Sequence, residues 1–278
     1  MTKEAQSLPI TVVKAPTGWE WIDFKELKEY RDLFYYLVTR DIKVMYAQTV
    51  LGFLWAILNP MIQILIFSLV FGRIAKIPTD GIPYFLFATA AIIPWTYMSN
   101  ALTVSSQSLV TGQNMMGKVY FPRLLFPLAP IFAKFPDFLI SLVIVAFAML
   151  YYGRAPSSTI VYLPLFIIEM IIIPAAMGLW LSALAVRYRD VKFIVQFLIR
   201  MLMFTAPIVY SASSIPEAYR LLYSLNPLVS VIEGMRACML GLPIPWEFVA
   251  PGFVVSIVLL ITGALYFRRF ERVFADVV

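Results

Sequence analysis

Apolar residues run through this chain in long uncharged blocks, not in the short periodic patches of a soluble fold. Residues 51–72, "LGFLWAILNPMIQILIFSLVFG", carry no charge, and neither do 84–104, 138–153, 201–216 and 248–267. From 155 to 186 the only charge is Glu169. A helix that crosses a bilayer needs about 20 mostly apolar residues, so the pattern predicts six spans. The third starts near Leu125 and passes through Lys134 and Asp137; the fifth extends back through Arg200 to about Phe193. The expected fold class is all-α, a polytopic membrane protein with its transmembrane region over 51–267.

Two stretches follow other patterns. In "DFKELKEYRDLFYYLV" (23–38), Phe24, Leu27, Tyr30 or Leu33, Phe34 and Leu37 line one side of a helix. Lys25, Glu26, Lys28, Glu29 and Asp32 line the other. Asp23 with Glu26 three residues on resembles a capping box. Such a helix lies in a membrane interface or packs on a partner, and amphipathicity alone does not choose. The segment 212–247 is too apolar for an ordinary loop, and Asn226-Pro227 breaks it into pieces too short to span. It reads as a pair of re-entrant or interfacial helices.

Composition narrows the class. Of 278 residues, 61% are hydrophobic and 14% charged, against roughly 25% charged in a soluble domain. Lipid must therefore cover the surface. A single cysteine, Cys238, excludes an internal disulfide and a cysteine metal site. The absence of histidine removes the usual zinc site and the commonest general base. No cofactor is expected on this chain. Nucleic acid is a poor partner, because the basic residues flank apolar spans.

Charge placement gives orientation, since basic loops stay cytoplasmic. With six spans, one set of loops holds fifteen Lys and Arg, the opposite set five, and Lys134 and Arg200 lie within spans. Both termini are thus expected inside: 1–50 as a cytoplasmic N-terminus and 268–278 as a cytoplasmic tail. No signal-peptide core precedes the first span.

The loop "TGQNMMGKVYFPR" (111–123) has the G-x-x-x-x-G-K spacing of a nucleotide-binding loop. Val119 stands where Ser or Thr would hold magnesium, and an apolar span precedes the loop where a strand is required. ATP binding here is not expected. A short, basic loop ending at Pro122 could instead dock on another subunit.

Four stretches carry a resemblance. "RDIKVMYAQTVLGFLWAILNPM" (40–61), "NMMGKVYFPRLLFPLAPI" (114–131), "RYRDVKFIVQFLIRMLMFTAPIVY" (187–210) and "LNPLVSVIEGMR" (225–236) resemble the membrane subunits of ABC-2-type polysaccharide exporters. These are the permeases of O-antigen, capsule and teichoic-acid export, and the likeness covers nearly the whole chain in order. It implies a homodimer that pairs with two copies of a separate ABC ATPase, which carries ATP and Mg. It also implies a lipid-linked polysaccharide as cargo, moved outward across the inner membrane. In the loop 105–123 it assigns Asn114, Met115, Gly117, Lys118, Tyr120, Phe121, Pro122 and Arg123 to coupling with the ATPase.

Charges inside lipid cost at least about 2.5–3.5 kcal/mol and usually face protein or water. Lys134 and Asp137, three apart, can pair locally and read mainly as structural glue. A bridge between Glu169 and Arg200 is expected at similar depth, structural or functional. On a uniform helix Phe53, Phe67 and Phe71 share one face, and Phe193, Phe197 and Phe204 share another beside Arg200. Aromatic faces tolerate a sliding sugar, although Phe also commonly faces lipid or core; Arg200 could meet a carrier-lipid phosphate. Asn59-Pro60 and Pro207 should kink the first and fifth spans. Arg187, Arg189 and Asp190 sit at the inner mouth, where anchoring is the simpler reading. Asn226, Pro227, Glu233 and Arg236 belong to a gate on the outer side. Three alternatives remain: a secondary transporter with Glu169 or Asp137 as proton site, a membrane enzyme, and an ABC-2 permease for a drug or bare lipid.

Overall fold

The computed structural model describes residues 24–47, 49–116 and 121–271. Every regular element among them is helical. Two short helices, α1 (Phe24–Glu29) and α2 (Arg31–Tyr46), precede a 3-10 turn that leads into α3 (Trp55–Phe67). A π-helix, Ser68–Ile74, extends α3. The bundle continues with α4 (Tyr84–Thr111), α5 (Gln113–Met116), α6 (Leu125–Ala133), α7 (Phe135–Tyr151), α8 (Leu163–Arg187) and α9 (Val191–Thr205). Last come α10 (Glu217–Ser224), α11 (Pro227–Leu240) and α12 (Trp246–Glu271).

The core is built around α4. Residues Leu86–Trp95, apolar but for Thr89, are all buried, as expected of a helical stretch that is apolar on nearly every side. Its most extensive partner is α8. They approach closely because α8 carries Gly178, where a Cβ would fall 2.1 Å from Ser105 Oγ. Ser105 in turn donates to the Pro127 carbonyl of α6 at 2.7 Å. Small residues at such contacts are the usual means of packing helices in lipid.

Five continuous helical stretches are long and apolar enough to cross a membrane: Gly52–Ile74, Tyr84–Thr111, Leu125–Tyr151, Ser158–Arg187 and Trp246–Glu271. The predicted fifth span is shorter than expected. α9 has 15 residues, about 22 Å of helix against a hydrocarbon core of about 30 Å. Pro207 does not kink this helix; the helix ends before it, with Ala206 already extended. The chain nonetheless passes from one end of the bundle to the other. Val191 follows the last turn of α8, whereas Val209 accepts a hydrogen bond from Tyr84 at the start of α4 (3.0 Å). Ser211 and Ser213 then bond Asp80 at 2.6 and 3.0 Å.

Pro60 lies within α3 and removes the amide that would bond the Ala56 carbonyl. Ser141 of α7 shares its hydroxyl proton between that carbonyl at 2.8 Å and the Asp137 carbonyl of its own helix at 2.7 Å. The helix therefore continues past the proline, its freed acceptor satisfied by a neighbour.

The helix expected at 23–38 exists, divided at Tyr30 and extended to Tyr46. Part of its apolar side packs within the protein: Leu37 is sealed against Leu125 and Ala129 of α6, with Leu27, Leu33 and Phe34, partly buried, around them. The capping pair Asp23 and Glu26 falls outside the described side chains.

Candidate functional site

The segment 212–247 folds as a hairpin. α10 descends along α12, the chain turns at Asn226, and α11 climbs back between α4, α8 and α12. Asn226 caps α11, accepting from Leu228 N at 3.1 Å, while its amide donates to the Thr205 carbonyl at 3.2 Å. Pro227 occupies the first helical turn, where no amide is needed. Every residue from Leu228 to Leu240 is buried. Gly234 admits Phe166 so closely that a Cβ would lie 2.1 Å from the ring.

Two polar clasps hold this hairpin. Arg236, 2% exposed, bonds Glu233 at 2.7 Å and the Pro207 carbonyl at 2.5 Å, and its guanidinium lies 3.7 Å from the Phe87 ring centroid. Glu233 also accepts from the Ala212 amide at 3.0 Å. The pair therefore ties α11 to α4 and to the break after α9. Glu169, 0% exposed, accepts from Ser230 of α11 (2.8 Å) and Ser256 of α12 (3.0 Å). The expected bridge between Glu169 and Arg200 is absent. Glu169 faces α11 and α12, whereas Arg200 points outward from α9 and donates to its own helix at the Gln196 carbonyl (3.4 Å).

Beside the middle of α4, Lys134 and Asp137 pair at 3.4 Å as the spacing predicted. Asp137 also takes the Tyr46 hydroxyl, and Lys134 lies 3.0 Å from Met45 Sδ. Burial, and then the Asp137 carboxylate, hold the Tyr46 phenol above its ordinary pKa. The cluster joins α2 to the α6–α7 junction.

One flank of the bundle is polar. Along α4, Thr96, Ser99, Asn100, Thr103 and Gln107 recur at helical spacing and are half-buried or, for Asn100, exposed. The side with Thr96 and Asn100 meets Asn59 of α3 and Asp137 of α7 around a shared cavity. The side with Ser99 meets Ile199 and Leu202 of α9. Next to this stripe α9 presents Phe193, Phe197 and Phe204, 62–64% exposed, together with Arg200 and Gln196. This is the predicted aromatic face of the fifth span. Phe53 is exposed, while Phe67 and Phe71 pack edge-on at 5.2 Å, half-buried. The α4 stripe was not read from the sequence, because apolar residues between its members raise the local hydropathy. Its spacing of three and four was the available signal.

The remaining predicted residues fall at the α2 end of the bundle. Arg187, Arg189 and Asp190 are exposed in the α8–α9 turn. Phe121 and Pro122 are buried, Phe121 against Phe126 (5.3 Å), so they anchor the 111–123 loop from within. Arg123 reaches the Glu271 carbonyl at 3.5 Å, and Met115 packs toward Arg40. Gly117, Lys118, Tyr120 and the side chain of Asn114 lie outside the described residues.

Long apolar helices with a polar and aromatic flank define a multi-pass membrane protein with a surface able to face a polar solute. The chain belongs to the ABC-2 type transporter family, whose model matches residues 32–240. It is similar to the O-antigen export system permease protein RfbA of Myxococcus xanthus, 28% identical over 255 residues covering 91% of this chain and 97% of that protein. RfbA of Klebsiella pneumoniae is 26% identical over 247 residues, 88% and 95% of the two chains. The polysialic acid transport protein KpsM of Escherichia coli is 26% identical over 223 residues, 78% and 81%.

Proposed function

We propose that this chain is the permease subunit of an ATP-driven exporter that carries lipid-linked polysaccharide outward across the inner membrane. Its relatives export O-antigen or transport polysialic acid, and family membership supports the transport class. The observation that carries the reading is the flank formed by the α4 stripe and the α9 phenyl face. Asn59, Asn100, Gln196 and Arg200 are exposed there, and amides and a guanidinium facing hydrocarbon would be costly. Water or a polar cargo is the environment they fit, with a second copy of the chain closing the path. The phenyl rings give a moving glycan broad apolar faces without gripping one unit.

In this reading the path from Val191 to Val209 is the sixth pass, both termini are cytoplasmic, and the α10–α11 hairpin enters the membrane from the outer side. Irregular backbone at such depth is tolerated where protein surrounds it, which fits a buried α11. Two copies of an ABC ATPase hold ATP and Mg, and the loop 105–123 receives their motion. The test is co-purification in detergent with the candidate ATPase. The wild-type chain should retain it, and Lys118→Glu with Arg123→Glu should lose it. Transport by the permease alone, driven by an ion gradient, would overturn the proposal.

A further inference from the structure

The polar flank contains a cavity of about 130 Å³ between α2, α3, α4 and α7. At about 30 Å³ for each water of the liquid, it holds about four waters, so a pyranose enters it in part, the rest of the ring lying along the rim where Trp55, Asn59 and Asn100 are exposed. Its wall is unusually equipped for a site beside a membrane span. Trp55 supplies an aromatic ring, Asn59 and Asn100 supply amides, and Thr96 a hydroxyl. The Lys134–Asp137 pair supplies a cation and a carboxylate.

These groups are only partly used by the fold. Thr96 Oγ1 is buried without a hydrogen-bond partner among the described residues. Asn59 and Asn100 are exposed, and their amides make no hydrogen bond among the described residues. Lys134 spends its donors on a thioether at 3.0 Å and a carboxylate at 3.4 Å, leaving capacity for another acceptor. Asp137 takes Tyr46 and Lys134 on different oxygens, and each oxygen has a second lone pair.

The chemistry distinguishes two classes of occupant. A phosphate head is an acceptor only and would sit beside the Asp137 carboxylate, where like charges repel. A sugar hydroxyl both donates and accepts, so it matches a wall that offers amides, an ammonium and a carboxylate with no net charge. A pyranose also has an apolar C–H face for the Trp55 ring. We infer that this cavity is a binding site for one neutral sugar ring, a resting station for a unit of the glycan on its way through the flank. The inference rests on the export reading above, and names where that cargo is held.

The test uses the full-length permease in nanodiscs and in cells. Methyl glycosides of glucose, mannose, galactose and N-acetylglucosamine are titrated while tryptophan emission is followed, with glycerol phosphate as the anionic comparison. Saturable binding of at least one glycoside is expected. Trp55→Phe should remove the emission change, and Asn100→Leu should weaken binding by about tenfold, as for a lost hydrogen bond with its partner left unsatisfied. Thr96→Val, which is nearly isosteric, should weaken binding while the unfolding midpoint stays the same or rises. In a host lacking the permease, wild type should restore surface polysaccharide, and Asn100→Leu should not restore it fully despite equal membrane abundance. Wild-type rescue with Asn100→Leu and Trp55→Leu exporting at the wild-type rate would overturn the sugar site and leave the export reading standing. A response to glycerol phosphate alone would also overturn it. If wild type restores no polysaccharide, the export reading falls, and the titration alone then decides the site.

Discussion

Arg236 and Glu233 show how a charge is kept inside the apolar bundle. The pair sits against Phe87 and the Pro207 carbonyl, so removing one partner strands the other. Arg236→Met should lower stability by about 3–5 kcal/mol, whereas the double replacement with Glu233→Met should cost clearly less than Arg236→Met alone. Thermal unfolding of the purified protein in detergent measures both. Glu169 makes a different prediction, because its carboxyl is sealed and accepts two serine hydroxyls. Glu169→Gln keeps an acceptor at the same place, so export in cells should stay within about twofold, less than one lost hydrogen bond would cost. A proton-driven carrier using Glu169 would lose transport. Of these residue-level arrangements the sequence disclosed only one kind. Spacing at three residues gave Lys134 with Asp137, and would have given Glu233 with Arg236. The partners of Glu169 lie 61 and 87 residues away, and no local pattern selects Ser230 and Ser256 over Arg200.

Among elements, the apolar blocks foretold the long helices well, because lipid demands both length and lack of charge. The hairpin followed from the same reasoning in reverse, from pieces too short to cross and broken at Asn226-Pro227. The misreading was at Pro207, expected to kink the fifth span but found beyond the end of α9. Pro60 and Pro207 look alike in sequence, yet α3 continues through one and α9 stops before the other. The difference lies in neighbours: Ser141 satisfies the carbonyl that Pro60 frees, whereas Arg236 takes the Pro207 carbonyl and fixes the broken end. A double-mutant cycle checks the first case. Ser141→Ala should cost about 1 kcal/mol with Pro60 present, and less once Pro60→Ala returns an amide to the Ala56 carbonyl.

For the whole molecule, the decisive issue is which ends lie on which side. Five long helices alone would put the termini on opposite sides, and the short α9 segment makes the count even only if it crosses. Cys238, the single cysteine, is fully buried, so replacing it with Ala gives a clean background. Ser213→Cys should then react with an impermeant maleimide in intact cells with the outer membrane permeabilised. Arg187→Cys should react only after the inner membrane is opened. Labelling of both from the same side would refute the sixth pass. The polar flank belongs to this scale as well, since it exists only because α3 and α9 pack on either side of the α4 stripe. That is why the aromatic half was legible within one helix and the cavity across four was not.

The clasp on the hairpin also sets a timetable. α11 finds its partners on α4, α8 and α12, and α12 is made after every other helix among the described residues. Until α12 is in place, Glu169 has lost Ser256 as a partner and the seat for α11 is unwalled on one side. The centre of the molecule is therefore completed only once α12 is made, although its first wall is synthesised early. A nascent chain stalled or cleaved before Trp246 would present quality-control proteases with most of its helices inserted and an open middle. Lesions in α12 should consequently be felt as loss of the whole protein, not as local fraying.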